Sequence, residues 1–119
     1  MDLFLWIIVA VLLALFVIPI LPAKGIKNIS AQQVKEKLKD KNTYFIDVRT
    51  PQEFRQNHIH GFKNIPLFDL PEKAKKLDRN KEVVVICQSG MRSMRACKQL
   101  KKLGFSQIYN VRGGMNAWN

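Results

Sequence analysis

The sequence predicts an α/β fold, a central parallel sheet with helices on both of its faces. Two observations carry this. Short apolar runs, Tyr44-Phe45-Ile46-Asp47-Val48, Val83-Val84-Val85-Ile86 and Gln107 to Val111, are separated by stretches of helical character. Strands alternating with helices pack as parallel sheets covered on both sides. The length, 119 residues, allows one ordinary domain, and two cysteines are too few for a disulfide framework.

In chain order, the first feature is an apolar run from Leu3 to Ile18 that continues past Pro19 through Ile20 and Leu21. Nineteen residues at helical rise cover about 28 Å, against about 30 Å of bilayer hydrocarbon. One N-terminal transmembrane helix is therefore expected to precede the domain, with residues 1–23 as an anchor in membrane lipid. Trp6 near one end suits an interface. A cleaved signal peptide needs a basic start and a small-x-small site, which Met1-Asp2 and Leu21-Pro22-Ala23-Lys24 do not supply. Lys24 and Lys27 follow the run, so the positive-inside tendency predicts a single-pass membrane protein with its domain on the cytoplasmic side.

Residues 24–29 read as a linker and a first short strand, and 30–119 as the domain. Ser30-Ala31-Gln32-Gln33 has the spacing of a capping box. The helix it opens places Val34 and Leu38 one turn apart. The strand 44–48 carries Asp47 near its end and is followed by Arg49. Thr50-Pro51 begins another helix with proline at its first position. His58-Ile59-His60-Gly61 forms a loop, Asn64-Ile65-Pro66 is short and extended, and Pro71 opens a helix through Leu77. After the buried strand 83–86, a basic helix runs from about Met91 to Leu103 and stops at Gly104 as its C′ residue. Gln107 to Val111 is the last strand, ahead of Arg112-Gly113-Gly114 and Met115-Asn116-Ala117-Trp118.

The net charge of +11 brings no aromatic-interleaved basic stripe and no recognition motif, so nucleic acid is not an expected partner. Lysines at helical spacing (Lys35, Lys37, Lys39; Lys73, Lys75, Lys76; Lys98, Lys101, Lys102) fit solvated faces. They also fit attraction to an anionic membrane surface or a small anionic substrate. Two His and two scattered Cys do not make a metal site, so no metal and no cofactor are expected.

The candidate site is Cys87-Gln88-Ser89-Gly90-Met91-Arg92-Ser93. It lies where a strand ends and a helix begins, the edge at which open α/β sheets bind ligands. Main-chain N–H groups of such a loop and of the first helical turn lack intrahelical partners and converge on an anion. A sulfur placed there is stabilised as a thiolate. Gly90 permits a positive φ. Arg92 and Arg95 stand in the first turns of the helix, against the macrodipole, and residues that break a local rule mark working sites.

Four blocks together resemble the rhodanese-like family of sulfurtransferases over residues 26–118: Asp47-Val48-Arg49; His58-Ile59-His60-Gly61 with Asn64-Ile65-Pro66; Cys87 to Ser93; and Gly113-Gly114-Met115-Asn116-Ala117-Trp118. The resemblance implies that Cys87 carries sulfane sulfur as a persulfide, taken from a small anionic donor (thiosulfate or a persulfide) and passed to a thiol or cyanide-like acceptor. A partner protein for sulfur delivery is a further expectation. Gln88, Ser89, Gly90, Met91, Arg92 and Ser93 would cradle the sulfur, and Arg92 with Arg95 would attract the donor. Gln88 stands where thiosulfate-using members often have a basic residue, which points to a persulfide donor.

Two other readings compete. One is a non-catalytic binding module built on the same cup. The other is a related phosphatase or arsenate reductase, whose loop sets five residues between cysteine and arginine, where this chain has the four from Gln88 to Met91. Supporting roles fall to Asp47, expected to hold the sheet end through backbone N–H bonds, to Arg49 as its companion, to His58 as the family's histidine, and to Arg95. His58 and His60 are expected to fix their loop. Cys97 shares a helix face with Ala96, Leu100 and Leu103 and is expected in the core. Met91, Met94 and Met115 are expected in core or rim packing.

Overall fold

The computed structural model describes residues 2–17 and 25–118. Five strands form one wholly parallel sheet: β1 (Ile26–Ile29), β2 (Thr43–Asp47), β3 (Lys63–Asn64), β4 (Glu82–Ile86) and β5 (Ile108–Val111). Their spatial order is β1-β5-β4-β2-β3. The helices are α1 (Asp2–Val17), α2 (Ala31–Lys37), α3 (Pro51–Gln56), α4 (Leu70–Ala74) and α5 (Met91–Lys102). Two 3₁₀ turns span Leu67–Asp69 and Gly114–Ala117.

β4 holds the centre because its residues are apolar on both faces. Val83 and Val85 pack into one core with Ile46, Leu70, Ala96 and Leu100, beneath α4 and α5. Val84 and Ile86 pack into the other with Val34, Phe45, Phe62 and Val111, on the side of α2. An unbroken apolar run, without polar alternation, is what a strand covered on both sides requires. Burying each such side chain contributes about 1.5–3 kcal/mol, so β4 fixes the level of everything attached to its end.

Local signals set the helices. Ser30 Oγ accepts the Gln33 N–H at 3.2 Å while Gln33 Oε1 accepts the Ser30 N–H at 2.8 Å, which completes the expected box. Thr50 and Glu53 form a second reciprocal box around Pro51. α4 is shorter than expected, and Leu77 is reached by a single turn, its N–H on Ala74 O at 3.1 Å. At the end of α5, Gly104 takes φ +102°, with Phe105 N–H on Leu100 O and Gly104 N–H on Lys101 O, both 3.1 Å. This pair of bonds is a Schellman stop.

One expectation is corrected. α1 has sixteen residues, which at helical rise is about 24 Å, short of the roughly 30 Å of bilayer hydrocarbon. Among the described residues no helix is long and apolar enough to cross a membrane. The single-pass membrane placement with the domain on the cytoplasmic side is overturned on this ground, and the transmembrane helix and lipid contact expected over 1–23 are left without support. The expectation joined Leu3–Ile18 to Ile20 and Leu21 across Pro19, whereas the described helix covers Asp2–Val17. Positions 18–24 of that expectation lie outside the described residues.

The chain passes outward from β2 to β3, then returns inside to β4 and leaves the other way to β5. The crevice at the C-terminal ends of β2 and β4 is therefore where the winding reverses. Ligands bind at this point of doubly wound sheets.

Candidate active site

Cys87 follows directly on β4, on the side of Val83 and Val85. Gly90 takes φ +104°, in the left-handed region, and stands as N-cap of α5. That conformation belongs to glycine, and here it directs the Gly90 N–H onto Cys87 Sγ at 3.0 Å. The thiol in turn donates to Ser93 Oγ at 3.3 Å, and the Ser93 hydroxyl donates to Asn110 Oδ1. Asn110 Nδ2 donates to Asn28 Oδ1 at 3.1 Å and to Gly90 O at 3.3 Å. The sulfur is thus 0% exposed, yet its neighbours are polar. No side chain among the described residues caps α5, so its first-turn amides are left over for whatever occupies the loop.

A second layer closes on the loop from the C-terminal 3₁₀ turn. Met115 N–H donates to Cys87 O at 2.8 Å and Asn116 N–H to Gln88 O at 3.0 Å. The turn approaches so closely that a Cβ on Gly114 would collide with Cys87 O and lie 2.8 Å from Gln88 C and O. Glycine is needed there for contact as well as for its φ of +54°. On the outer side Lys35 Nζ stands over the Trp118 ring at 5.2 Å.

The third layer is a buried ion pair at the end of β2. Arg49 Nε donates to both Asp47 oxygens at 3.1 Å and Nη2 to Oδ2 at 2.9 Å, with both side chains almost wholly buried. Asp47 Oδ1 also accepts the Arg49 N–H at 3.0 Å. Asn64 Nδ2 donates to the carbonyls of Asp47 and Arg49, both at 2.9 Å, tying in β3. Arg49 Nη1 reaches Gln88 Oε1 at 3.3 Å, and Gln88 Nε2 donates to Asn116 Oδ1 at 2.7 Å. Three stretches far apart in sequence, 47–49, 64 and 114–116, thereby meet around the cysteine loop.

The arginines of α5 are placed differently from one another. Arg92 makes a bidentate pair with Glu53 of α3, Nη1–Oε1 2.7 Å and Nη2–Oε2 3.0 Å. Its hydrogen bonds hold the Glu53 carboxyl down at about 2, and Glu53 in turn raises the guanidinium pKa. This partner accounts for a cation in the first turn of a helix. Arg95 is exposed on α5, and Met91 is 71% exposed at its first position. His58 is exposed, its Nδ1 2.7 Å from Phe54 O and its ring stacked on Phe54 at 3.9 Å, so it joins α3 to the following loop. His60 is exposed.

Cys97 is buried in the α5 core face, and burial pushes its thiol up to about 12. Met94 and Met115 pack against the two cores. Among the described residues no group of three or more His, Cys, Asp or Glu is placed to hold a metal ion. Sequence reasoning missed Asn110, Asn28 and the pairing of Glu53 with Arg92, and it named Asn64 and Asn116 only within larger blocks, without a role of their own. The signal available for Asn110 was an amide in the middle of an otherwise apolar strand.

The Rhodanese-like domain family model matches residues 30–119. The chain belongs to the rhodanese-like domain family. YtwF of Bacillus subtilis is 48% identical over 94 residues, covering 78% of this chain and 90% of that protein. A protein of Allochromatium vinosum named Sulfurtransferase is 31% identical, over 78% of this chain and 88% of its own length. Among solved structures, a rhodanese-like domain protein of Staphylococcus aureus superposes with a TM-score of 0.71 at 32% identity, covering 78% of this chain and 91% of that one. Within this rhodanese-like domain the Cys87 loop, the Asp47–Arg49 pair and the glycine turn form one connected unit.

Proposed function

We propose that this rhodanese-like domain is a sulfurtransferase in which Cys87 takes up sulfane sulfur as a persulfide and hands it to a nucleophilic acceptor. The observation that carries the reading is the Gly90 N–H aimed at Cys87 Sγ at 3.0 Å, within a loop that closes onto the uncapped start of α5. A main-chain donor fixed by a left-handed glycine needs no reorganisation when the sulfur becomes charged. Ser93 adds a hydroxyl whose proton can turn to a thiolate, since its oxygen is both donor and acceptor.

In the forward half-reaction the Cys87 thiolate attacks the outer sulfur of the donor, an S–S bond forms on Cys87, and the donor leaves with its electron pair. In the second half the acceptor attacks the outer sulfur of Cys87-S-SH, and the Cys87 thiolate is regenerated. The Gly90 amide serves both halves, because the charge returns to the same Sγ. Asp47, Arg49, Asn64 and Gln88 are positioning residues that hold the loop against the sheet.

The test is thiocyanate release from cyanide by the purified protein after incubation with sulfur donor. Activity lost in Cys87→Ser and kept in Cys97→Ser is the expected result. Activity that survives loss of Cys87 overturns the proposal.

A further inference from the structure

We infer that Asn110 is a positioning residue for the transfer reaction: its side-chain amide turns the Ser93 hydroxyl proton away from Cys87 Sγ, so that Ser93 opposes negative charge on the sulfur while the Gly90 amide supports it. The inference rests on Cys87 as the nucleophile of the reading above and concerns what governs its charge.

The placement comes first. Ile26, Ile108, Val83, Val85 and Cys87 share the core beneath α4 and α5. Asn28 and Asn110 stand two residues beyond Ile26 and Ile108, hence on that same face of the sheet. They are register partners in β1 and β5, as Val85 and Asn110 are in β4 and β5. Asn110 is buried at 4% exposure, a polar side chain in an apolar layer. Such a group is held by hydrogen bonds, and here the bonds have a direction.

Gly90 O is a carbonyl and can only accept, so the amide atom that meets it at 3.3 Å is Asn110 Nδ2. The second Nδ2 proton goes to Asn28 Oδ1 at 3.1 Å. That leaves Asn110 Oδ1, an acceptor only, facing Ser93 Oγ, and it takes the single hydroxyl proton. Ser93 therefore turns lone pairs to Cys87 Sγ, 3.3 Å away, and accepts from the thiol. On a thiolate the same lone pairs face a negative atom inside the protein, where the contact is little screened. The Ser93 proton reaches the sulfur only by leaving Asn110 Oδ1 without a donor, and a buried acceptor so stranded is costly.

The charged and titratable groups around the sulfur stand in cancelling pairs. Arg92 of α5 is held by Glu53 of α3, and Arg49 by Asp47 at the end of β2. Cys97, one turn after Ser93 on α5, has its thiol pushed up to about 12 and stays protonated below that. From β1 and β5 the facing side chains are the neutral Asn28 and Asn110, and the turn Gly114–Ala117 brings no titratable side chain. Ser93, by contrast, touches Sγ directly, so the direction of its one proton acts on the charge at full strength.

Asn110→Ala is the decisive variant. It removes the acceptor that claims the Ser93 proton, while Gly90 O keeps the Met94 N–H at 3.2 Å. The Cβ resonance of Cys87 is followed against pH by NMR. Its midpoint is expected to fall by about one unit relative to wild type, the roughly tenfold effect of one hydrogen bond to a charged atom. Sulfur loading of Cys87 from thiosulfate or cysteine persulfide, read by mass, should rise by about the same factor below the midpoint and change less than about twofold above it, since the thiolate is the nucleophile. In a Ser93→Ala background, Asn110→Ala should move the midpoint by less than about a third of a unit, because the hydroxyl through which it acts is gone. In wild type the side-chain carbonyl carbon of Asn110 should titrate with the Cys87 midpoint as Ser93 abandons it, a readout that needs no variant to fold. An amide that merely braces Gly90 predicts the opposite sign, a raised midpoint in Asn110→Ala. A raised or unmoved midpoint, an equal shift without Ser93, or an Asn110 carbonyl that stays still while Cys87 titrates overturns the inference, whether or not sulfur loads. The expected shifts in a protein whose Cys87 never loads sulfur overturn the sulfur-transfer reading alone.

Discussion

Gly114→Ala is expected to be the most damaging single-methyl change near the loop, and its size follows from the geometry. The residue has φ +54°, which for an L side chain costs about 1–2 kcal/mol. Its new Cβ collides with Cys87 O and the Gln88 carbonyl group, all backbone atoms that no rotamer change can clear. The turn must back away, which breaks Met115 N–H on Cys87 O and Asn116 N–H on Gln88 O, at about 1 kcal/mol each. The total is about 3–4 kcal/mol, or a fall in Tm of roughly 12–20 °C for a domain of this size. Urea unfolding followed by fluorescence gives the number directly by linear extrapolation. Gly61→Ala is the control. Its φ is +100°, but the added methyl meets only the flexible Leu38 Cδ2 at 3.3 Å, so it should cost about 1–2 kcal/mol from backbone strain alone. A Gly114→Ala protein within 1 kcal/mol of wild type, or no worse than the control, refutes the claim that this turn clamps the cysteine loop.

Two more outcomes are expected. Asp47→Asn leaves the buried Arg49 charge without its carboxylate and should cost about 3–5 kcal/mol in the same denaturation assay, while Asp47→Asn with Arg49→Met regains part of it. Glu53 titrates near 2 in the folded protein against an ordinary 4.5. A depressed carboxyl stabilises fully above its unfolded value and loses that contribution as pH falls through the folded one. Between pH 5 and pH 2, wild type should therefore lose about 1 kcal/mol more than Glu53→Gln, the pair being part-exposed and screened. Parallel pH curves for the two proteins would contradict this.

The fold was legible because β4 is so plain a signal. Four β-branched residues in a row between Lys81-Glu82 and a loop leave little choice but a central parallel strand. The Ser30 box, Pro51, Pro71 and Gly104 are local instructions, and each acts within a few residues of itself. The cysteine loop was legible for the same reason, as a strand end followed by a glycine and a helix.

What could not be read was long-range. Nothing near Arg92 in sequence announces Glu53, 39 positions earlier, so the arginine looked free for an anion. Ser93, Asn110 and Asn28 form one chain of hydrogen bonds only because β1, β5 and α5 are neighbours. The apolar N-terminal run misled through its length. Hydropathy counted residues on both sides of Pro19, whereas the described helix has sixteen residues, Asp2–Val17.

The most direct measurement is peptide mapping by mass of the protein after exposure to a persulfide donor, without reductant. One added sulfur on the peptide that contains Cys87, removable by cyanide, is the predicted result. Cys97, whose buried thiol is pushed up to about 12, should stay unmodified. Sulfur found on Cys97, or an unaltered Cys87 peptide, would contradict the assignment.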